Sequence, residues 1–339
     1  MIKRISILCC FILGTINLLA QDPQFSQYYA APLYLNPAFA GTGSDHRFIV
    51  NYRNQWPAFA DGFVTYAFSY DYNMENLRSG VGFLATVDKA GSANLTTTSF
   101  NFIYSYKIQM ANKWIVTPGL SFGYAKRSID FDKLIFGDQL DFQSDGQVPT
   151  SDMSAASLGN ASFFDFGAGI LVYNKTFWAG FSASHINEPN RSLLEEESIV
   201  PMKTSIHAGV RIPLYNGAFK RDRVSSIAPS FIYKNQGEFD QLDIGLHFLY
   251  APIMVGIWYR GIPIQQNVND NISQDAVVLI LGMQFDQIEI GYSYDFTVSE
   301  LGAISGGAHE VSLLYRMDVA FHSKVKRKDK FIPCPTFNK

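Results

Sequence analysis

The chain has 339 residues, with 27 basic against 30 acidic side chains and a formal charge of −3, a balance that recommends no nucleic-acid partner. Charged residues are only 17% of the chain while aromatics are 15%, with 28 Phe and 18 Tyr. That is much aromatic surface for a chain whose only long apolar run lies at its start.

Residues 1 to 20 read as a secretory signal peptide: Lys3 and Arg4 precede an uncharged apolar run that ends in Ala20. The run is shorter than the roughly 20 residues that span a bilayer. Cys9 and Cys10 sit inside it, not at a lipoprotein cleavage site, and their loss would leave only Cys334, so no internal disulfide is expected. Residues 21 to 44 follow as an apolar segment interrupted by Pro23, Pro32 and Pro37. Proline removes a ladder donor and breaks helix interiors, which excludes both a central strand and a long helix there.

From residue 45 to 318 the pattern is alternation with a period of two. Strands are predicted at about 46–56, 62–72, 79–88, 95–107, 113–125, 162–173, 176–187, 202–213, 223–235, 239–250, 253–260, 275–285, 287–297 and 308–317, fourteen in all. In 64–72, Val64, Tyr66, Phe68, Tyr70 and Tyr72 oppose Thr65, Ala67, Ser69 and Asp71. Ile288, Ile290, Tyr292, Tyr294 and Phe296 likewise oppose Glu289, Gly291, Ser293 and Asp295.

Two architectures share this signature: a soluble sandwich with its apolar face inward, and an all-β transmembrane up-and-down barrel with that face toward lipid. Three features favour the barrel. The second face carries Gly, Ser, Asp, Glu and His, as a lumen does, and tyrosines gather toward strand ends, as in Tyr70 and Tyr72 or Tyr104 and Tyr106. The strand number is even. Long connections (126–161, 188–201, 261–274, 298–307) follow odd-numbered strands, while most of those after even-numbered strands are tight. An outer-membrane barrel in lipid, with both termini in the periplasm, accounts for all three.

The chain shows no catalytic, cofactor or metal motif. His309-Glu310 lacks the second histidine of a zinc helix, and Ser305 lacks the nucleophile-elbow context. GVGFLA at 80–85 sits inside a strand with no helix after it, so its glycines make room in a wall. Asp138, Asp141 and Asp145 lack the spacing of a calcium loop. His207, Arg211 and His247 are expected to face a solvated, polar lumen. A non-enzymatic chain is expected, with an outer-membrane enzyme the least supported class.

DPQFSQYYAAPLYLNPAFAGT (22–42), YRNQWP (52–57), SYDY (69–72), GYSYDFTVSELGAISGGAHEVSLLY (291–315) and CPTF (334–337) resemble the PorP/SprF family. These are outer-membrane proteins of the type IX secretion and gliding machinery of Bacteroidetes-type bacteria. The resemblance implies a barrel that serves secretion or surface attachment of large cargo, often motility adhesins, beside the periplasmic ring of the machinery. A channel or transporter for small solutes is the alternative.

Two segments are candidate sites. Residues 22–43 are expected to fold into or across the periplasmic mouth as a plug held by Phe25, Tyr28, Tyr29, Leu33, Tyr34, Asn36, Pro37 and Phe39, with Asn36-Pro37 making a turn. Packing on the rim is the alternative. The tail, 319–339, is basic and on the periplasmic side: Lys324, Lys326, Arg327, Lys328 and Lys330 would meet anionic head groups or steer a ring protein, which Phe331, Cys334 and Phe337 would engage.

Overall fold

The computed structural model describes residues 22–43, 45–59, 62–91, 93–110, 113–130, 134, 159–193, 197–214, 225–266, 272–299 and 302–317. Fourteen strands form one closed antiparallel sheet. They are β1 (His46–Gln55), β2 (Phe63–Met74), β3 (Ser79–Ala90), β4 (Leu95–Tyr106), β5 (Ile115–Ser128), β6 (Ala161–Tyr173) and β7 (Phe177–Ser184). Then come β8 (Lys203–Val210), β9 (Ser225–Gln236), β10 (Phe239–Tyr250), β11 (Ile253–Gln266), β12 (Ile272–Phe285), β13 (Ile288–Thr297) and β14 (Ala308–Met317). Short pieces at Ile108–Gln109 and Ile212–Pro213 prolong the lines of β4 and β8.

Each strand pairs with its neighbours in sequence, and β14 closes on β1 through ten residue pairs from His46↔Met317 to Gln55↔Ala308. Closure leaves no sheet edge, the condition for carrying backbone polar groups through hydrocarbon. Among the described residues no helix is long and apolar enough to cross a membrane.

The period-two pattern sorts as predicted. In β13, Ile288, Ile290, Tyr292 and Phe296 are exposed on the outer wall, while Glu289, Ser293 and Asp295 are buried inside. Phe100, Phe102, Tyr104 and Tyr106 of β4 face outward around buried Ile103 and Ser105. The outer wall is therefore a continuous aliphatic and aromatic belt. Tyr104, Tyr106, Tyr250 and Tyr315 all lie toward one end of the barrel, where an interfacial girdle belongs.

That end is where β1 begins and β14 finishes, and its connections include 75–78, 174–176, 251–252 and 286–287. We term it the short-turn end. The opposite, loop end carries 129–160, 185–202 and 298–307, but also the brief 91–94 and the hairpin Gly237-Glu238, where Gly237 takes φ +60°. Of the four long connections expected after odd-numbered strands, 261–274 is the one that shortens, because β11 runs on to Gln266 and β12 begins at Ile272. β7 stops at Ser184, earlier than its apolar pattern predicts. The side chain of Asn187 caps the freed edge of β6, accepting from Phe166 N at 3.1 Å and donating to Phe164 O at 2.8 Å.

The core lies inside the barrel, and this corrects the expectation of a solvated polar lumen. Trp178, Trp258, Leu171, Tyr173, Met254 and Ile280 point inward and are buried in one cluster with apolar residues of 22–43. His207 and His247, expected in a wet lining, are 0% exposed. Arg211 sits just past β8, at the short-turn end, where its Nε donates to Ser226 Oγ at 3.0 Å. The basic tail from Lys324 to Phe337, and Asp138, Asp141 and Asp145, lie outside the described residues.

Candidate functional site: a segment folded through the lumen

Residues 22–43 break into three single turns, Tyr28–Ala30, Pro32–Leu35 and Pro37–Phe39, each too short to be stable alone. Proline placement explains the division. Pro32 and Pro37 occupy first-turn positions, where the missing N–H costs nothing, and each forbids continuation of the turn before it. Asn36 is the N-cap of the last turn, its Oδ1 accepting from Ala38 N at 2.8 Å. The predicted Asn36-Pro37 turn is this cap.

The segment runs the depth of the barrel. Gly41, at the short-turn end, donates its N–H to Asp71 Oδ2 at 2.8 Å, and Lys107 Nζ donates to Gly41 O and, at 2.6 Å, to Asn73 Oδ1. Asp22, at the loop end, meets His185 Nε2 at 2.8 Å and Lys203 Nζ at 3.3 Å. The segment therefore reaches well past the mouth in which it was expected. The first described residue, Asp22, and the last, Met317, lie at opposite ends of the barrel.

The singled-out residues of the segment all lie inside the barrel. Phe25, Tyr28, Tyr29, Leu33 and Phe39 are at most 5% exposed, Pro37 is buried, Asn36 is fully so, and Tyr34 is half-buried. Tyr28 stands edge-on to Trp258 at 5.0 Å and stacks on Trp178 at 6.0 Å, while its hydroxyl donates to Ser230 Oγ at 3.2 Å. Phe39 stacks on His207 at 5.7 Å. Phe25 packs edge-on to Tyr34 at 5.1 Å, and the Tyr34 hydroxyl donates to Pro23 O at 2.5 Å. Asn36 Nδ2 donates to Ile170 O at 3.2 Å and Phe181 O at 3.1 Å, tying the segment to adjacent strands β6 and β7.

Close approach requires glycine on the wall. A Cβ at Gly119 would lie 2.5 Å from Ala38 N, and one at Gly80 would collide with Ala40 O. The glycines of GVGFLA do make room, and the room is for this segment.

Polar groups that the sequence left unassigned carry much of the attachment. Glu310, fully buried on β14, accepts from Ser26 N at 2.7 Å and Gln27 N at 3.1 Å. The Ser26 hydroxyl accepts from Arg53 Nη1 at 2.9 Å and Arg260 Nη2 at 3.0 Å and donates to Asp295 Oδ2 at 2.7 Å. Arg53 also pairs with Asp295 at 2.8 Å and Glu310 at 3.2 Å, and Arg260 with Asp295 and Asp243, both at 3.0 Å. Buried ions persist only when paired and hydrogen-bonded, and here several strands and the segment share one network. The readable signal is charge on an inward face otherwise rich in Gly and Ser: Arg47, Arg53, Asp71, Asp295 and Glu310.

At the loop end, burial alone would lower the basicity of His185 and weaken the acidity of Asp22. The Asp22 carboxylate and the hydrogen bonds to Asp165 and Asp22 outweigh it, and the His185 pKa is pushed up to about 9. Lys203 and His185 in turn hold Asp22 well below the ordinary carboxylate range. Both groups are therefore charged at neutral pH, and they form a latch on the segment's outer end.

Among the described residues no group of His, Cys, Asp and Glu could hold a metal ion. No curated protein sequence matches the chain. Solved structures similar to it include the outer membrane protein Omp33 of Acinetobacter baumannii, with 7% identity, 82% of this chain and 100% of that one covered, and a TM-score of 0.43. CdiB from Acinetobacter baumannii has 6% identity over 80% of this chain and 60% of that one, at a TM-score of 0.42. A TodX monoaromatic hydrocarbon channel mutant lacking S2 and S3 has 10% identity over 84% and 92%, at 0.41. Likeness this distant carries no functional argument, and the closed barrel rests on its own strand register. The family model described as type IX secretion system membrane protein PorP/SprF matches residues 17–315, most of the length, and the chain belongs to that family.

Proposed function

We propose that this barrel serves the secretion or surface attachment of large adhesin-type cargo in a type IX, gliding-type machinery, without catalysing a reaction and without conducting solutes at rest. The observation that carries the second half is the lumen: residues 22–43 fill it with Phe, Tyr and Leu side chains and are tied to the wall by buried hydrogen bonds. A small-solute channel would need a polar through-path, and this lumen is packed around Trp178, Trp258 and Tyr28.

In this reading residues 1–20 direct export and are removed, the short-turn end faces the periplasm, and the loop end faces outward. The outer belt holds the barrel in lipid while its two ends do the work. The tail, with Lys324, Lys326, Arg327, Lys328, Lys330, Phe331, Cys334 and Phe337, docks on the periplasmic ring. The loops on the far side hold cargo. A strain lacking the gene tests the role: surface adhesin should be lost while small-solute uptake is unchanged. Retained adhesin with impaired uptake of one solute would favour the channel instead. Truncating 319–339 should leave a heat-modifiable barrel that no longer co-purifies the ring proteins; continued co-purification would place docking elsewhere.

A further inference from the structure

Beside the segment, from Leu33 and Pro37 up to the loop end, lies a cavity of about 730 Å³, inside the range of small-molecule sites. Its floor is the outer part of the segment, including Asp22, Gln24 and Tyr34. One wall is the loop half of β3, β4 and β5, which offers Thr86, Thr97, Ser99, Asn101 and Ser121. Arg127, near the end of β5, and Arg191, from the connection after β7, also line it.

The other cations at this end are engaged, Arg191 included, whose charge acts with that of Asp22. Lys203 and His185 hold Asp22, Lys234 and Arg260 hold Asp243, and Arg53 holds Asp295 and Glu310. Arg127 differs. Among the described residues its side chain has no ion pair or hydrogen bond, and its Nε is buried without a partner. Of the acids around the cavity, Asp88, two strands away, attracts Arg127 through space but makes no hydrogen bond or close ion pair with it. Asp88 accepts from Thr65 Oγ1 at 2.7 Å, Asp165 meets His185 Nδ1 at 2.9 Å, Asp240 accepts from Tyr233 and Asn235, and Asp275 lies on β12 across the lumen. A guanidinium in a recess is costly to leave without an anion, and its planar fork matches a carboxylate or phosphate in two parallel hydrogen bonds.

We propose that this vestibule binds a small acidic molecule, with its carboxylate or phosphate group on Arg127 beside Arg191 and its polar body along the hydroxyl and amide wall of β3 to β5. The site lies beside the segment, not through it, so anion binding and block of conduction are separate tests.

Calorimetric titration of the full chain in detergent micelles at low ionic strength tests it, with glutarate and inorganic phosphate as probes and neutral glutaramide as the control. One or both anions should bind saturably and glutaramide should not. Preference for glutarate assigns a carboxylate ligand, and preference for phosphate a phosphorylated one. Arg127→Gln should weaken the preferred anion at least about tenfold, as expected for loss of a charge-assisted pair. Saturation by neither anion, or equal affinity in Arg127→Gln, overturns the proposal. If Arg127→Gln loses heat-modifiable migration, Arg127→Lys decides: it keeps the charge but not the fork, so binding should fall severalfold, and unchanged affinity overturns the proposal.

Discussion

Replacing Glu310 by Ala should release the inner segment without opening the barrel. Glu310 receives the Ser26 and Gln27 backbone N–H groups at 2.7 and 3.1 Å and Arg53 Nη1 at 3.2 Å. Its loss strands two buried amides, each worth about 1–3 kcal/mol. Arg53 is not stranded, since Asp295 still holds it at 2.8 Å and Ser26 Oγ at 2.9 Å. A total near ~4 kcal/mol would shift the docked-to-released ratio roughly a thousandfold. Strand pairing between β14 and its neighbours uses backbone groups and is untouched. The assay is maleimide labelling of Ala31→Cys in a Cys334→Ser background, because Ala31 is 6% exposed and borders a small internal cavity that admits a sulfur atom. Labelling should be slow with Glu310 present and much faster in the Glu310→Ala variant, while heat-modifiable migration is retained. Equal labelling rates in the two proteins would refute the claim that Glu310 holds the segment.

Three further outcomes are expected. Gly119→Val should also release the segment, since even a Cβ there comes within 2.5 Å of Ala38 N; the same labelling assay reads it, and continued protection would mean the wall can yield. The His185 imidazolium should titrate near pH 9 by NMR and nearer its ordinary value in Asp22→Asn. A raised pKa means the latch is fully formed below the ordinary histidine value and is lost as pH climbs through about 9, so protection of the segment's outer end should fall at alkaline pH. On the outer wall, Phe102→Arg, at a position 54% exposed in the middle of β4, should cost about 2–4 kcal/mol in urea unfolding from lipid; a cost near zero would argue against a lipid-facing belt.

The barrel is readable because lipid and lumen impose opposite chemistry on alternate residues: IEIGYSYDF states its two faces outright. Prolines at 23, 32 and 37 likewise announce a compact, non-strand segment before β1. What does not show is where that segment goes. Single turns carry no direction, so nothing in PLYLNPAF says that it runs from Gly41 to the far end at Asp22. The apolar lumen is hidden for a related reason. In FWAGF, Phe177 and Phe181 face out while Trp178 faces in, and an inward tryptophan is indistinguishable from an outward one until the segment it packs against is known. Glu310 shows in the sequence as half of a failed zinc motif and as a charge on an inward face, and neither names what it binds. Its partners Ser26 and Gln27 are 284 and 283 residues away, a separation that local pattern does not bridge.

Everything proposed for the resting barrel depends on residues 22–43 closing the lumen. Single-channel recording in planar bilayers of the full chain against a variant lacking 22–43 tests it most directly. The full chain should be nearly silent and the deletion should pass a steady, raised current. Equal conductance in the two proteins, with both verified as folded barrels, would contradict it.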